Sequence, residues 1–255
     1  DMAFDVRPSA RAGAAATFRY TAATTIRGRT TADGVEEIAV DFTLLNREPL
    51  VVRLDGRPTR WTRSADKAAI FVRFPAAMPR GTPFALEIRY NHGPGFAATY
   101  LVPDKAEIAQ MWSVNDAGYA FPAGIDPLDR AQFTFTVTAP EPYVVVTNGR
   151  PTGEVTADGH TTVTWVTQQP ITPSDAAVFI GRYTVTEVAG AGGAPITLYR
   201  IRPAAETQPT FDALVRQFGW FGSRLGFAHA RMRYIEGGAQ VSVGEQADLG
   251  GEIQG

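Results

Sequence analysis

Residues 132–166 read QFTFTVTAPEPYVVVTNGRPTGEVTADGHTTVTWV. Apolar and polar residues alternate along much of this stretch, and many of them are β-branched or aromatic, which is typical of strands with one buried face. Asn148-Gly149 and Asp158-Gly159 interrupt the alternation with residues that accept the positive φ angles of tight reversals. The second pair therefore predicts a hairpin that joins residues 153–156 to residues 161–165.

The same two-residue period recurs over most of the chain from residue 15 to residue 183. Strands are predicted at residues 35–44, 69–74, 84–90, 132–138, 143–147, 161–166 and 177–185. No helical period separates these strands, so antiparallel pairing should dominate. The predicted fold class is mainly β, with antiparallel layered sheets or a β-sandwich and a short α-containing C-terminal segment.

One helix is predicted in the last quarter of the chain. Residues 207–225 carry apolar side chains at offsets of three and four, namely Phe211, Leu214, Val215, Phe218 and Phe221. This spacing predicts a helix with one face in the core. Thr210, directly after Pro209, is the predicted cap of its start, and Gly222 or Gly226 is predicted to end it.

Composition limits the partners that the chain is expected to bind. Of its 255 residues 44% are hydrophobic, enough for a large core. The 24 basic and 26 acidic residues are mixed along the chain, so nucleic acid is not an expected partner. No apolar run approaches the roughly 20 residues of a membrane span. Cysteine is absent, and most basic residues are arginine, which favours a bacterial origin. The oligomeric state stays open.

The chain contains no complete catalytic centre of a common type. A zinc hydrolase typically needs two histidines one helical turn apart with a glutamate between them, whereas His92, His160 and His229 are isolated. No serine lies in a Gly-x-Ser-x-Gly motif. Asp126 and Asp129 form the closest acidic pair in an aromatic setting, and a turn explains them without catalysis. We therefore predict neither catalytic nor metal-binding residues in this chain.

Several motifs occur in the order found in one enzyme family. Residues 121–127 read FPAGIDP, and they are followed by the strand of residues 132–138 and by Thr147-Asn148-Gly149. Residues 179–183 read FIGRY, and the predicted helix contains the run FGWF at residues 218–221. In this order and spacing the chain resembles the M1 zinc aminopeptidases, the family of aminopeptidase N and leukotriene A4 hydrolase.

The resemblance implies that the chain is the incomplete front of a longer enzyme. Residues 1–203 would be its N-terminal β domain, and residues 204–255 the truncated start of a thermolysin-like catalytic domain. Zinc would lie on a His-Glu-x-x-His helix in the missing downstream part, so this chain alone is expected to be inactive and to hold no cofactor. The parent would remove N-terminal residues from peptides, while the β domain scaffolds and roofs the cleft that holds the peptide substrate.

The resemblance also implies three substrate-binding positions. Residues 112–116 read WSVND where the family has Trp-Ser/Thr-Gln-Gly-Glu, so Asp116 stands for the family glutamate. Val114 stands for the glutamine, and Gln110 is the alternative glutamine if the register shifts. Residues 250–254 read GGEIQ and resemble the family's Gly-x-Met-Glu-Asn loop, with Glu252 as the carboxylate that would bind the ammonium group of a peptide.

A second hypothesis is a non-catalytic β module of the same fold that binds a protein, a peptide or a surface. Trp61, Trp112, Tyr119 and Phe121 would form its contact surface if they were exposed, although alternating strands usually bury such residues. The two hypotheses differ in whether a His-Glu-x-x-His motif follows in the gene. A periplasmic or extracellular setting suits the cysteine-free composition.

Overall fold

The computed structural model describes residues 1–9, 17–42, 51–66, 68–92, 108–112, 121–124, 126, 129–190, 195–201, 203–225, 232–236 and 244–247. Within these ranges, strands dominate and form four sheets, accompanied by one α-helix and one 3-10 turn, Pro173–Asp175. All but two of the strand pairs are antiparallel. The predicted fold class, mainly β with antiparallel sheets, is confirmed.

The largest sheet has eight strands. In spatial order they are β13 (Arg150–Ala157), β14 (His160–Val166), β11 (Thr134–Pro140), β1 (Met2–Ser9), β2 (Thr17–Arg29), β8 (Pro83–His92), β4 (Val51–Leu54) and β5 (Arg57–Pro58). Strands β1 and β11 run parallel, with Met2 beside Phe135. Alternate residues are buried along β11, as the two-residue period of its sequence predicts.

A four-stranded sheet packs against the eight-stranded sheet. Its strands are β10 (Ala123–Gly124), β3 (Val35–Asp41), β7 (Ala69–Met78) and β6 (Trp61–Arg63). Phe42, directly after β3, packs edge-on against Tyr90 of β8 with ring centroids 5.3 Å apart. Ile70 of β7 and Ile88 of β8 are completely buried in the same hydrophobic cluster. The two sheets therefore enclose a common core.

Two smaller sheets complete the described structure. The three-stranded sheet consists of β12 (Val144–Thr147), β15 (Ala177–Gly181) and β9 (Ile108–Trp112). The last sheet consists of β16 (Thr184–Ala189), β17 (Pro195–Arg200), β18 (Met232–Ile235) and β19 (Gly244–Ala247). Strands β17 and β18 are parallel, and helix α1 (Ala204–Leu225) lies between them in the sequence, as in a crossover connection.

The last sheet is a middle layer, which explains why every residue of β18 is buried. On one side, Leu198 and Phe211 belong to a cluster shared with helix α1. On the other side, Tyr199 and Ile235 join the core of the larger sheets. Tyr199 also packs edge-on against Tyr183, with ring centroids 5.8 Å apart. The sheet thus takes strands from both sides of residue 203, and the domain division at that residue stays a prediction.

Two predicted strands differ in the structure. The segment predicted as one strand at residues 177–185 forms β15 and β16, which belong to different sheets. Tyr183 lies between them and is buried, so the chain is anchored where it leaves one sheet for the next. A period of two residues cannot reveal such a change of sheet. Strand β3 ends at Asp41 rather than at residue 44, and residues 43–50 lie outside the described ranges.

Helix α1 begins earlier than the sequence predicts. It starts at Ala204, and the backbone N–H of Glu206 donates to the carbonyl of Pro203 at 3.0 Å. Pro209 therefore lies inside the helix, and Thr210 does not cap its start. Pro209 is the sixth residue of the helix, so its missing N–H removes one helical hydrogen bond, the bond to the carbonyl of Ala205.

The buried apolar stripe of helix α1 ends earlier than predicted. Phe211 and Phe218 are buried, but Phe221 is 44% exposed beside Trp220, which is 56% exposed. The last turn therefore extends past the sheet that covers the first turns. Among the described residues, no helix combines the length and apolar character that a bilayer crossing requires.

Candidate functional site

One of the three predicted substrate-binding residues falls within the described residues. Gln110 lies in β9 opposite Phe179 of β15. Asp116 and Glu252 lie outside the described ranges. Among the described strands, β9 is an edge of the three-stranded sheet, and β19, which precedes Glu252, is an edge of the last sheet. Edge strands can offer backbone hydrogen-bonding groups to an extended chain.

The Phe-Pro motif is part of the core. Phe121 is completely buried and packs edge-on against Phe133, with ring centroids 6.3 Å apart. Ala123 pairs with Asp41 of β3, so the motif contributes the short strand β10 to the four-stranded sheet. Trp61 is half-buried against the same core. Neither Phe121 nor Trp61 therefore forms an exposed aromatic surface, while Trp112 and Tyr119 have no described side chains.

The acidic pair that follows the motif lies in a turn. Asp126 and Asp129 are both exposed, and the backbone N–H of Asp129 donates to the carbonyl of Asp126 at 3.1 Å. The carboxylate of Asp129 lies close to the backbone of Gly124. This geometry supports the turn interpretation of the pair rather than acid–base chemistry.

The turn at Asn148–Gly149 is held from both sides. The Asn148 side-chain amide donates to the carbonyl of Asp175 at 3.0 Å, and its oxygen accepts from the N–H of Ala177 at 2.7 Å. Gly149 has a φ of 86°, and a Cβ there would overlap the carbonyl oxygen of Val166. The turn therefore requires glycine for two reasons, its backbone angle and its close packing.

Arg233 of β18 joins this turn to the last sheet. Its guanidinium Nη1 donates to the carbonyl of Gly149 at 2.8 Å. The same guanidinium lies 4.8 Å from the ring centroid of Trp165 in β14. Arg233 is only 3% exposed, so both contacts act away from water, where a charged donor and a cation–π contact are strongest.

A second buried polar group lies at the end of β18. Glu236 is 5% exposed, and its carboxylate accepts from the backbone N–H of Ile201 at 2.8 Å. Burial, and to a smaller extent the charge of Glu236, raises the pKa of the Tyr183 hydroxyl well above its usual value of 10. Tyr183 is therefore a neutral phenol at physiological pH and cannot serve as a general base.

The described residues provide no ligand set for a metal ion. They contain no group of three or more His, Cys, Asp or Glu side chains close enough to hold one. His160 sits at the tip of the β13–β14 hairpin, as predicted, where its Nδ1 lies 2.9 Å from the carbonyl oxygen of Asp158 and its Nε2 contacts Arg7. The side chain of His92 and the whole of His229 lie outside the described residues.

An open groove of about 710 Å³ lies elsewhere, beside Arg27, Arg29, Asp55 and Phe84. Its charged groups already have partners within the protein. Arg27 contacts the carboxylate of Asp1, Arg29 donates to the carbonyl of Gly81 at 2.9 Å, and Asp55 accepts from the N–H of Ala85 at 2.8 Å. The groove therefore lacks the convergent free polar groups of a specific small-molecule site.

The sequence reasoning missed the two buried arginines of the last sheet, Arg200 and Arg233. A sequence-level sign of Arg233 exists, because it stands within the strand MRYI, whose other residues are apolar or aromatic. An arginine in such a run is more often at a surface, since buried guanidinium groups are rare. Only its tertiary partners establish that it is buried.

Comparison with known proteins identifies similarity through the fold. No protein-family model and no curated protein matches the sequence. An M1 zinc metallopeptidase from Deinococcus radiodurans is structurally similar, with a TM-score of 0.59 and 16% identity, over 87% of this chain and 51% of that chain. A mutant of that organism's M1 zinc metallopeptidase bound to the substrate Tyr-Ser-Ala has a TM-score of 0.57 and 17% identity, over 78% and 46%.

A two-domain M1 zinc metallopeptidase mutant bound to L-tryptophan gives a TM-score of 0.56 at 17% identity, again over 78% of this chain and 46% of that chain. The chain thus spans about half the length of these structures. At such low identity the similarity establishes a shared fold and nothing about chemistry. The fold is that of the N-terminal region of M1 zinc metallopeptidases.

Proposed function

We propose that this chain is the N-terminal, non-zinc-binding part of an M1-like metallo-aminopeptidase. Residues 1–203 would scaffold and roof a peptide-binding cleft, and residues 204–255 would begin a thermolysin-like catalytic domain. The observation that carries the proposal is the shared fold over 78–87% of the chain with M1 zinc metallopeptidases, one of them bound to a tripeptide substrate.

The sheet edges suggest how such a cleft would recognise a peptide. An extended peptide can pair its backbone with an edge strand, and β9 and β19 are edges among the described strands. In this proposal Gln110 and Asp116 would contact the bound peptide near β9. Glu252, shortly after β19, would form a charge-assisted hydrogen bond with the free ammonium group of the peptide. Reading a chain end in this way distinguishes an exopeptidase from an endopeptidase.

Zinc would belong to a part of the parent protein outside this sequence. The described residues offer it no ligand set, so we assign no zinc-dependent step to them. The role proposed for this chain is to bind, orient and enclose the peptide. The parent would supply the ion and the residues that cleave the N-terminal peptide bond.

The first test reads the coding sequence that follows Gly255. The proposal expects a His-Glu-x-x-His motif followed by a further glutamate, the ligand and base pattern of this metallopeptidase class. An unrelated domain or an immediate stop codon would contradict it. That outcome would favour the second hypothesis, a β module that binds a protein, a peptide or a surface without catalysis.

The second test measures peptide binding by the chain itself. Tyr-Ser-Ala and its N-acetylated form are titrated into the ¹⁵N-labelled protein, and the amide shifts of β9 and β19 are followed. We expect shifts at both edges with the free peptide, and weaker ones with the acetylated peptide or with the Glu252→Gln variant. Equal shifts with both peptides would contradict recognition of the ammonium group by Glu252.

A further inference from the structure

Two arginines are buried in neighbouring strands of the last sheet, and their contacts point in opposite directions. Arg200 of β17 is 6% exposed, and Arg233 of β18 is 3% exposed. A guanidinium group stays charged inside a protein, so each must find strong local partners. The identity of those partners shows which parts of the molecule each arginine holds together.

The partners of Arg200 belong to its own sheet and to helix α1. Its Nη2 donates to the side-chain oxygen of Gln208 at 2.7 Å, and its Nη1 donates to the hydroxyl of Thr186 at 3.3 Å. Its guanidinium also lies 4.9 Å from the ring centroid of Phe211. Arg200 therefore fastens helix α1 to β16 and β17.

The partners of Arg233 belong to the rest of the molecule. It donates to the carbonyl of Gly149 and lies over the ring of Trp165. Gly149 stands between β12 of the three-stranded sheet and β13 of the eight-stranded sheet. The Arg233 side chain therefore contacts the point at which the chain crosses from the three-stranded sheet to the eight-stranded sheet.

The acceptor that Arg233 uses is fixed in place. The side chain of Asn148 ties the turn to the segment before β15, and Gly149 packs directly against the backbone of Val166. On the other side of the contact, Arg233 stands opposite Gln246 of β19 in the strand register. Arg233 therefore connects the edge strand β19, with which it pairs at Gln246, to the turn at Gly149.

We propose that Arg233 is a latch that fixes the last sheet, and with it the edge strand β19, against the eight-stranded sheet. The latch itself follows from the contacts of Arg233. Its consequence, that Arg233 is a positioning residue for peptide binding at β19, rests on the proposed function. Without the latch, β18 and β19 would keep their pairing but would separate more often from the turn at Gly149.

Hydrogen exchange of the full chain tests the latch with Arg233→Met and the matched variant Arg200→Met. Arg233→Met should raise exchange roughly tenfold in residues 145–150 and in β18 and β19, because a buried charged hydrogen bond is lost. Strands β2 and β8 should keep their protection. Arg200→Met should instead raise exchange in helix α1 and β16 and leave residues 145–150 unchanged. The same pattern in both variants, or no change at residues 145–150 in Arg233→Met, would overturn the proposal.

Arg233→Lys keeps the test decisive if the methionine variant does not fold. Lysine keeps the charge but lacks the planar group that spans an acceptor and a ring. We expect an intermediate rise in exchange over the same segments, and wild-type protection there would overturn the latch.

Peptide titration separates the latch from the proposed function. If the wild-type chain binds Tyr-Ser-Ala, Arg233→Lys should weaken binding several-fold more than Arg200→Lys, and equal weakening would overturn the positioning role. If the wild-type chain does not bind the peptide, the proposed function of the edge fails and the positioning role fails with it. The hydrogen-exchange measurement would then test the latch by itself, independently of peptide binding.

Discussion

Two Asx-Gly turns flank the same strand, β13, and have opposite environments. At Asn148–Gly149 both residues are buried, the side chain of Asn148 makes two hydrogen bonds, and Gly149 packs against a backbone carbonyl. At Asp158–Gly159 both residues are exposed, and a Cβ on Gly159 would meet no atom within 4 Å. Similar Asx-Gly pairs thus form a buried connection between two sheets in one case and an exposed hairpin reversal in the other.

The comparison teaches that an Asx-Gly pattern predicts a glycine with positive φ and not how important the turn is for stability. Both glycines have positive φ, 86° at Gly149 and 69° at Gly159, but Asp158 also has a positive φ of 52° whereas Asn148 does not. The difference in burial arises from what surrounds each turn. Substitutions at matched positions of the two turns should therefore destabilise the protein to very different extents. Each of the following measurements tests that expectation.

The largest difference in the free energy of unfolding is expected between Gly149→Ala and Gly159→Ala. Alanine at position 149 combines an unfavourable φ with an overlap against the Val166 carbonyl, so it should destabilise the protein by about 3 kcal/mol or more. Alanine at position 159 meets only the backbone penalty, about 1 kcal/mol. Urea denaturation of both variants measures the two free energies of unfolding. Equal losses would contradict the contrast between the turns.

The side chains of the first turn residues should differ by a smaller amount. Asn148→Ala leaves the carbonyl of Asp175 and the N–H of Ala177 without their side-chain partner, at a cost of about 2 kcal/mol. Asp158→Asn at the hairpin tip should change stability by less than about 0.5 kcal/mol, since asparagine is equally suited to its positive φ. Thermal unfolding followed by circular dichroism compares both with wild type. A larger loss in Asp158→Asn than in Asn148→Ala would reverse the assignment.

The smallest effect on stability is expected at a third turn, in which a side-chain carboxylate rather than an amide makes the hydrogen bonds. The Ser64 hydroxyl and the N–H of Ala68 donate to the Asp66 carboxylate at 2.6 and 3.0 Å, and these bonds lower the pKa of Asp66 below its usual 3.8. Because folding lowers this pKa, the ionised Asp66 carboxylate stabilises the fold at pH values above 3.8. That stabilisation is lost as the pH falls through the lowered pKa. The amide of Asn148 does not titrate.

Amide exchange near these two turns at decreasing pH measures this difference. The N–H of Ala68 should lose protection below about pH 3.8, after correction for intrinsic exchange, whereas the N–H of Ala177 should not. Asp66→Asn is the matched control, because it retains an acceptor and removes the titration. An acid-dependent loss at Ala68 that persists in Asp66→Asn would show that another group is responsible.

Much of the fold could be predicted from local patterns, because strand alternation and turn residues are local properties. The hairpin at Asp158–Gly159 and the mainly β class are confirmed. The predicted start of helix α1 is wrong, because Pro209 lies inside the helix and does not mark its boundary. The exposure of Phe221 and the division of residues 177–185 into two strands depend on what packs nearby. A single sequence does not contain that information directly.

The candidate site was less accessible to sequence reasoning than the fold. Motif order led to Gln110, Asp116 and Glu252, of which the structure describes only the backbone of Gln110 at a sheet edge, so their roles stay predictions. Arg233 was not found, since neither its burial nor its bond to Gly149 follows from neighbouring residues. Both depend on contacts between segments far apart in the chain.

The parallel pairing of β1 with β11 has a consequence for synthesis on the ribosome. Strand β1 begins at Met2, but its partner on one side is not available until Phe135 has emerged from the exit tunnel. Strand β2 can pair with β1 much earlier, so a growing chain would carry β1 with one unpaired edge until β11 has emerged. Aggregation during expression should therefore depend on how long this edge of β1 stays unpaired. Slower translation before residue 135 should increase the aggregation.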